Sequence, residues 1–263
     1  MSKKYTIRDI AKQAGVSVAT VSYVMNNRDD QRISEETKKK VRQIINLLDY
    51  KPNSSAKSLA TNKTYTAALY LTHEESLYKR SEQLLLAETL AAVLKQHGYH
   101  LLLQNQDDLN QIDYADAIFC YDTDTDFFSE VGDHNLIPLI AIDILLDGSL
   151  PIFFQVCTDY AKQKERADRH FGTDNYTYFC LPPNNKAIKD CITSTFQKVC
   201  FMEETAALPE GNIVYTQTCL HTLVPQGAYY IASNLQAKME QVYACMEDAI
   251  NRVPDRSHVC LVY

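Results

Sequence analysis

Residues 6–26 read TIRDIAKQAGVSVATVSYVMN, and the rest of the chain is organised around them. The spacing predicts two short helices joined by a tight turn. Thr6 can N-cap the first helix, with Asp9 three residues on to reach back to the cap and face the positive helix end. Ile7, Ile10, Ala11 and Ala14 recur at i, i+3, i+4 and i+7 and so share one apolar face. Gly15 supplies the left-handed position that ends the helix. Ser17 can N-cap a second helix whose Val21, Val24 and Met25 turn inward. Ala19, Ser22, Tyr23 and Asn26 are left facing outward, with Val18 beside them. A small, uncharged outer face on a short helix suits the DNA major groove, where side chains must reach base edges unobstructed. A helical hairpin in some other small domain would show the same spacing.

The flanking sequence extends the pattern. Asn26-Asn27 follows the second helix, then ISEETKKKV at 33–41 and DYKPNSSAKSL at 49–59. Ser34 starts a third helix, with Glu35 and Glu36 in its first turn and Val41, Ile44, Ile45 and Leu48 as its buried stripe. Together these motifs resemble the headpiece of the lac repressor/galactose repressor family of bacterial transcription factors, over about a fifth of the chain. The resemblance implies an α/β protein. A three-helix helix-turn-helix headpiece (residues 1–51) and a hinge helix (52–61) would precede a two-lobed parallel α/β domain (62–263) like a periplasmic binding protein. It also implies a dimer on double-stranded DNA, more a repressor than an activator, with a ligand cleft between the lobes.

Val18, Ala19 and Tyr23 are expected to read bases, and Ser17, Thr20, Ser22 and Asn26 to hold phosphates. Thr6, Lys40, Tyr50 and Asn53 complete the headpiece set. Pro52 stops the third helix and Asn53 can cap a short one ending near Leu59, too short to be stable alone. By resemblance, paired hinge helices enter the minor groove, Leu59 is the wedging leucine and Ala56 allows close approach. Lys57 stands where many relatives carry Arg, keeping the charge without the fork geometry.

Charge divides along the chain. Residues 1–60 carry 12 Lys/Arg against 6 Asp/Glu, a net +6, and residues 61–263 carry 14 against 27, a net −13. A basic head on an acidic body fits a protein that places only its head on polyphosphate. The start, MSKKYTIRDI, has no signal-peptide core, and no stretch is long and apolar enough to span a membrane, so a cytoplasmic protein is expected. All eight cysteines lie after residue 119 without a Cys-x-x-Cys pair, which suits buried, reduced thiols.

From Tyr65 on, apolar runs alternate with amphipathic helices, as parallel sheets covered by helices require. Strands are predicted at 66–71, 99–103, 117–121, 136–142, 152–156 and 176–181, and helices at 82–97, closed by Gly98, and 158–170, before Gly172. Further elements follow at 186–201, 212–215, 228–232, 235–251 and 259–263. Only 13 residues separate the second and third strands, leaving little room for a covering helix. In the family, the strand matching 259–263 leads to a return crossing and a last strand of the first lobe. If the chain ended at Tyr263, one crossing and one strand would be lost.

Effector contacts in such folds come from loops at the carboxyl ends of strands. His73 and Glu74 lie in the first such loop, which would serve equally as a helix start with acidic caps. Lys189 is the nearest match to the family's arginine, and Ser233-Asn234 replaces its usual Asn-Asp pair, leaving Asn234 as a contact. Two accounts of the body compete: a sensor for a sugar or related metabolite, or an effector-independent scaffold for dimerisation or partner docking. Asp122, Asp124 and Asp126 are spaced like the start of a calcium loop, but its glycine and later Glu are missing, and helix capping before Phe127 explains them better. His97 and His100 have no further zinc ligands. With no nucleophile elbow, phosphate loop or dinucleotide fingerprint, neither an enzyme nor a cofactor is expected.

Overall fold

The computed structural model describes residues 5–25, 28, 31–48, 63–146, 154–202, 208–253 and 259–262. The chain divides into two units, Met1–Lys63 and Thr64–Tyr263. The expected hinge helix at 52–61 lies outside the described residues.

The first unit is three helices. Helix α1, Ile7–Ala14, opens with a complete capping box: Thr6 Oγ1 accepts from the Asp9 amide at 3.4 Å, and Asp9 Oδ2 accepts from the Thr6 amide at 2.8 Å. It closes on Gly15 at φ 68°, a left-handed conformation that a side chain would strain. Helix α2, Val18–Met25, starts at Ser17, whose Oγ accepts from the Thr20 amide at 3.0 Å. Ser34 Oγ does the same for Thr37 at 3.2 Å and opens helix α3, Glu35–Leu47. Ile10, Ala11, Ala14, Val21, Val24 and Val41 form the buried centre. Ile44, Ile45 and Leu48 pack on its rim half-exposed, so Val41 alone carries the deep end of that predicted stripe.

The second unit holds two parallel sheets. Strands β1 (Thr66–Leu71), β2 (His100–Gln104), β3 (Ala117–Tyr121), β4 (Leu139–Ile142), β5 (Phe154–Thr158) and β10 (Val259–Val262) form the first, in the order β10-β5-β4-β3-β1-β2. Strands β6 (Thr177–Cys180), β7 (Val199–Phe201), β8 (Ile213–Tyr215) and β9 (Tyr229–Tyr230) form the second, in the order β7-β6-β8-β9. Helices α4 (Leu77–Gln96) and α8 (Leu235–Ile250) cover one face of the first sheet, burying Leu90, Val93 and Leu94 against Met239, Val242 and Met246. Helix α5, Thr125–His134, covers the other with Phe128 and Val131. Helices α6 (Tyr160–Phe171) and α7 (Lys186–Thr195) pack on the second sheet around Tyr178, Ile188, Ile192 and Phe196.

The connection between β2 and β3 contains no helix; Ile112 and Ala115 fill that side of the core, with the Ile112 amide donating to Asn135 Oδ1 at 2.8 Å. Asp124 caps α5 as its spacing predicts, accepting from the Phe127 amide at 2.7 Å. Five expectations are corrected. The run 186–201 is not one element: α7 ends at Thr195, the ring of its C-cap Phe196 stacks on Tyr178 at 4.0 Å, and the chain turns to lay Val199–Phe201 beside β6. No glycine or proline marks that stop. Helix α4 begins at Leu77, five residues early, from Ser76, which makes no side-chain cap bond. Strand β4 starts only after Pro138, leaving Leu136 exposed, and Thr158 ends β5 instead of opening a helix. Val259–Val262 pairs with β5 in the first sheet, so that strand belongs to the first lobe.

A polar latch joins the lobes where β1 and β3 end. Asn184, just before α7, donates its amide to Asp122 Oδ1 at 2.9 Å and its side-chain nitrogen to Glu74 Oε1 at 2.5 Å. Lys79 of α4 donates to Asn184 Oδ1 at 2.6 Å and pairs with Glu74 at 2.8 Å and Asp122 at 3.6 Å. The shorter contact gives Glu74 the greater share of the ammonium. Burial alone would raise Glu74, but its bonds from Lys79 and Asn184 outweigh that and hold it below the usual carboxylate range. Asp122 goes the other way: burial dominates and pushes it up to about 6.

The folded chain thus keeps the Asp122 proton up to about pH 6, whereas the unfolded chain releases it near 3.8. Between those values the native state binds more protons, so this group's contribution to stability falls as pH rises. Asp122→Asn removes the buried charge, and asparagine tolerates the left-handed φ of 48° found there. The variant is expected to be more stable than the parent by ~1–3 kcal/mol at pH 7.5, with the difference vanishing below about pH 4. Thermal melts of both proteins across that range measure it; a difference independent of pH would contradict it.

Candidate functional site

Helix α2 displays its outer edge as the spacing predicts. Val18 and Ala19 are exposed, Ser22 and Tyr23 half-buried, and no acidic residue occupies the first turn. The positive end of α2 is therefore open to an anion beside Ser17 and Thr20, whose hydroxyls share a 2.9 Å hydrogen bond. The amide and hydroxyl of Thr6 both donate to Asp9 Oδ2, at 2.8 and 2.7 Å. Lys40 is exposed on α3. Asn26, Tyr50, Asn53, Ala56, Lys57 and Leu59 lie outside the described residues.

In the second unit a cleft of about 140 Å³ opens between the sheets at the carboxyl ends of their strands. Its floor is an ion pair. Lys238, on an otherwise apolar face of α8 and 7% exposed, donates to both oxygens of Asp143 at 2.5 Å and to Thr158 Oγ1 at 2.8 Å. Asp143 follows β4 at φ 51°, and its Oδ1 also accepts from the Thr158 amide at 3.1 Å. Above the pair lie Tyr121, Tyr160 and Tyr178, and the Tyr178 hydroxyl donates to Gln163 Oε1 at 3.0 Å. Burial first, then the nearby Asp143, Asp122 and Glu82 carboxylates, hold the Tyr121 hydroxyl far above its ordinary value. Glu82 is raised by burial, partly offset by hydrogen bonds from Cys219. Gln217 Oε1 is buried in the wall with no hydrogen-bond partner.

Burial keeps the Cys180 thiol of the cleft protonated. Among the described residues no group of three or more His, Cys, Asp or Glu could hold a metal, and no helix is long and apolar enough to cross a membrane.

The four residues expected to contact an effector are placed apart. Asn234 lines the cleft, with its Oδ1 accepting from the Ala237 amide at 3.0 Å as the cap of α8. Glu74 lies in the latch. His73 is exposed, its amide donating to Gln106 Oε1 at 3.2 Å. Lys189 is exposed on α7, 5.0 Å above the Phe201 ring. Sequence reading missed Asp143, Lys238, Thr158 and Gln217. Asp143 carried a signal, because it directly follows a predicted strand. Lys238 carried none, since its helix face is otherwise that of a core helix.

Residues 6–53 match the sequence profile of bacterial regulatory proteins of the lacI family. Catabolite control protein A of Streptococcus mutans is 33% identical over 131 residues, covering 49% of this chain and 37% of that protein. The probable HTH-type transcriptional repressor ExuR of Bacillus subtilis is 35% identical over 152 residues, 54% of this chain and 44% of that protein. The chain spans less than half the length of the curated relatives it matches. A crystal structure of the lac repressor dimer bound to operator and the anti-inducer ONPF superimposes with a TM-score of 0.60 at 12% identity, covering 99% of this chain and 96% of that one. The regulator CelR in complex with cellobiose does so at 0.51 and 13%, covering 98% and 97%. The profile match thus places a lacI-type segment at residues 6–53, and the superpositions show that the chain shares the fold of the lac repressor.

Proposed function

We propose that the protein is a sequence-specific DNA-binding transcriptional regulator, a repressor, that binds a pseudo-palindromic operator as a homodimer. The observation that carries this reading is the match of residues 6–53 on a helix pair whose second member offers an exposed, uncharged edge. Val18, Ala19 and Tyr23 read bases in this account. Ser17, Thr20, Ser22 and Asn26 hold phosphates with Thr6, Lys40, Tyr50 and Asn53. Ala56, Lys57 and Leu59 act in the minor groove.

Dimerisation is assigned to α4 and β2. Leu84 is 59% exposed, Leu102 41% and Leu103 60%, on the outermost described strand of the first sheet and the helix packed beside it. Apolar side chains grouped at a sheet edge favour burial against a second copy.

The cleft is read as an effector site for a small polar molecule, a sugar or related metabolite. Gln217 supports this, because a buried amide oxygen without a partner is costly unless something donates to it. A second reading is favoured by the charges: Lys238 is taken up by Asp143, and Lys79 by Glu74 and Asp122. With its ions already paired, the body would serve as an effector-independent scaffold.

Three outcomes are expected. Tyr23→Arg adds a fork able to hold guanine, so selection from a random operator library should return a changed consensus, by ~1–3 kcal/mol at one base pair; an unchanged consensus removes Tyr23 from the reading set. Leu103→Lys combined with Leu84→Glu should shift sedimentation from dimer to monomer and abolish the advantage of two half-sites over one. In a thermal-shift screen of neutral sugars and related metabolites, a true effector raises melting by mass action. The shift should be lost in Gln217→Leu; no shift from any compound favours the scaffold reading.

A further inference from the structure

We infer that Cys245 and Cys260 form an oxidisable thiol pair, a site at which a disulfide-class oxidant links helix α8 to strand β10. Cys245 is fully buried on the face of α8 that packs on the first sheet, and Cys260 sits half-buried on β10, beside β5. Their sulfurs are 3.8 Å apart. Gln241, one turn before Cys245, directs its side-chain nitrogen at both, at 3.5 and 3.6 Å. That amide sits where it can hydrogen-bond sulfur as a thiolate forms. A disulfide needs the sulfurs about 2 Å apart, so forming it draws the two side chains together from the 3.8 Å seen here.

The two sulfurs differ in a way that orders the reaction. Burial, and the neighbouring Cys260, push the Cys245 thiol up to about 12. Cys260 is the more accessible, half-buried where Cys245 is fully buried. With oxidised glutathione as the oxidant, the Cys260 thiolate attacks one glutathione sulfur, and the other leaves as a thiolate. Cys245 then loses its proton to that leaving thiolate and attacks Cys260 Sγ, expelling the second glutathione. Two protein thiols are oxidised to one disulfide, and one glutathione disulfide is reduced to two thiols.

The link would fix β10 against α8. Cys245 lies seven residues, two helical turns, after Lys238 and so on the same side of α8 as the ammonium in the cleft. Anchoring that helix therefore stiffens the wall that carries Lys238.

The test uses the full chain. It is incubated with oxidised glutathione, folded and in parallel in urea, blocked with a maleimide and mapped by peptide mass spectrometry. The folded chain should yield one dominant intramolecular link, Cys245 to Cys260, and the unfolded chain a scatter among its eight cysteines. Melting of the oxidised parent should rise by about 5–10 °C over the reduced form, the gain expected from closing a loop between cysteines 15 residues apart in sequence. Cys260→Ser, a change at a half-buried position, should fold normally and lose both the link and the rise; Cys245→Ala checks the same loss from the other side. A folded parent that yields no such link, or other pairs as often, overturns the proposal. So does a link that forms and leaves melting unchanged in parent and variants alike.

Discussion

An ammonium removed from water has to find its charge inside the protein, and that requirement organises the cleft. Lys238 is nearly sealed off on an apolar helix, and Asp143 answers it with both oxygens. Breaking such a pair by removing one partner is commonly costly, about 3–5 kcal/mol, because a buried charge is left behind. The pair therefore fixes three elements at once. It sets where α8 crosses the sheet, it holds Asp143 in its left-handed conformation after β4, and through Thr158 it fixes the point where the chain leaves β5 for the second lobe. The cleft lies above this junction, and its shape follows from it.

The latch at the other end of the cleft obeys the same rule with a different outcome. One ammonium, Lys79, faces two carboxylates and cannot satisfy both equally. Glu74 takes the close contact and is stabilised as an anion, while Asp122 is left with backbone amides and a more distant charge. The lobes are thus joined by a carboxylate that burial pushes up to about 6. Around both sites, parallel strands supply the rigid frame, and the carboxyl ends of the strands and the facing helices present polar groups to the cleft.

The headpiece depends on a different constraint, helix termination. Each of its helices is short, and its ends leave backbone groups that must be satisfied. Thr6, Ser17 and Ser34 supply the missing acceptors and Gly15 the left-handed exit, so the three helices start and stop at fixed points and α2 is held with its small outer edge exposed. Asp9 occupies the start of α1, whereas the start of α2 carries no acid in its first turn and is capped by the Ser17 hydroxyl.

The sequence by itself determined the headpiece almost residue by residue, because capping and helix periodicity are local: Thr6, Asp9, Gly15, Ser17 and Ser34 are each legible within four residues of the bond they make. It also determined the alternation of strands and helices, and the helix-free stretch between β2 and β3, since chain length alone limits what fits there. Tertiary structure decided what is held across distance. The edge strand Val199–Phe201 is hidden within a helical run until Phe196 finds Tyr178, and Val259–Val262 is assigned to the first sheet only by pairing with β5. The cleft is the strongest case. Lys238 and Asp143 are 95 residues apart, and a lysine on an apolar helix face looks misplaced until the folded chain brings its carboxylate to it. No local pattern encodes a buried ion pair, because the free energy that fixes it arises only when both partners leave water together.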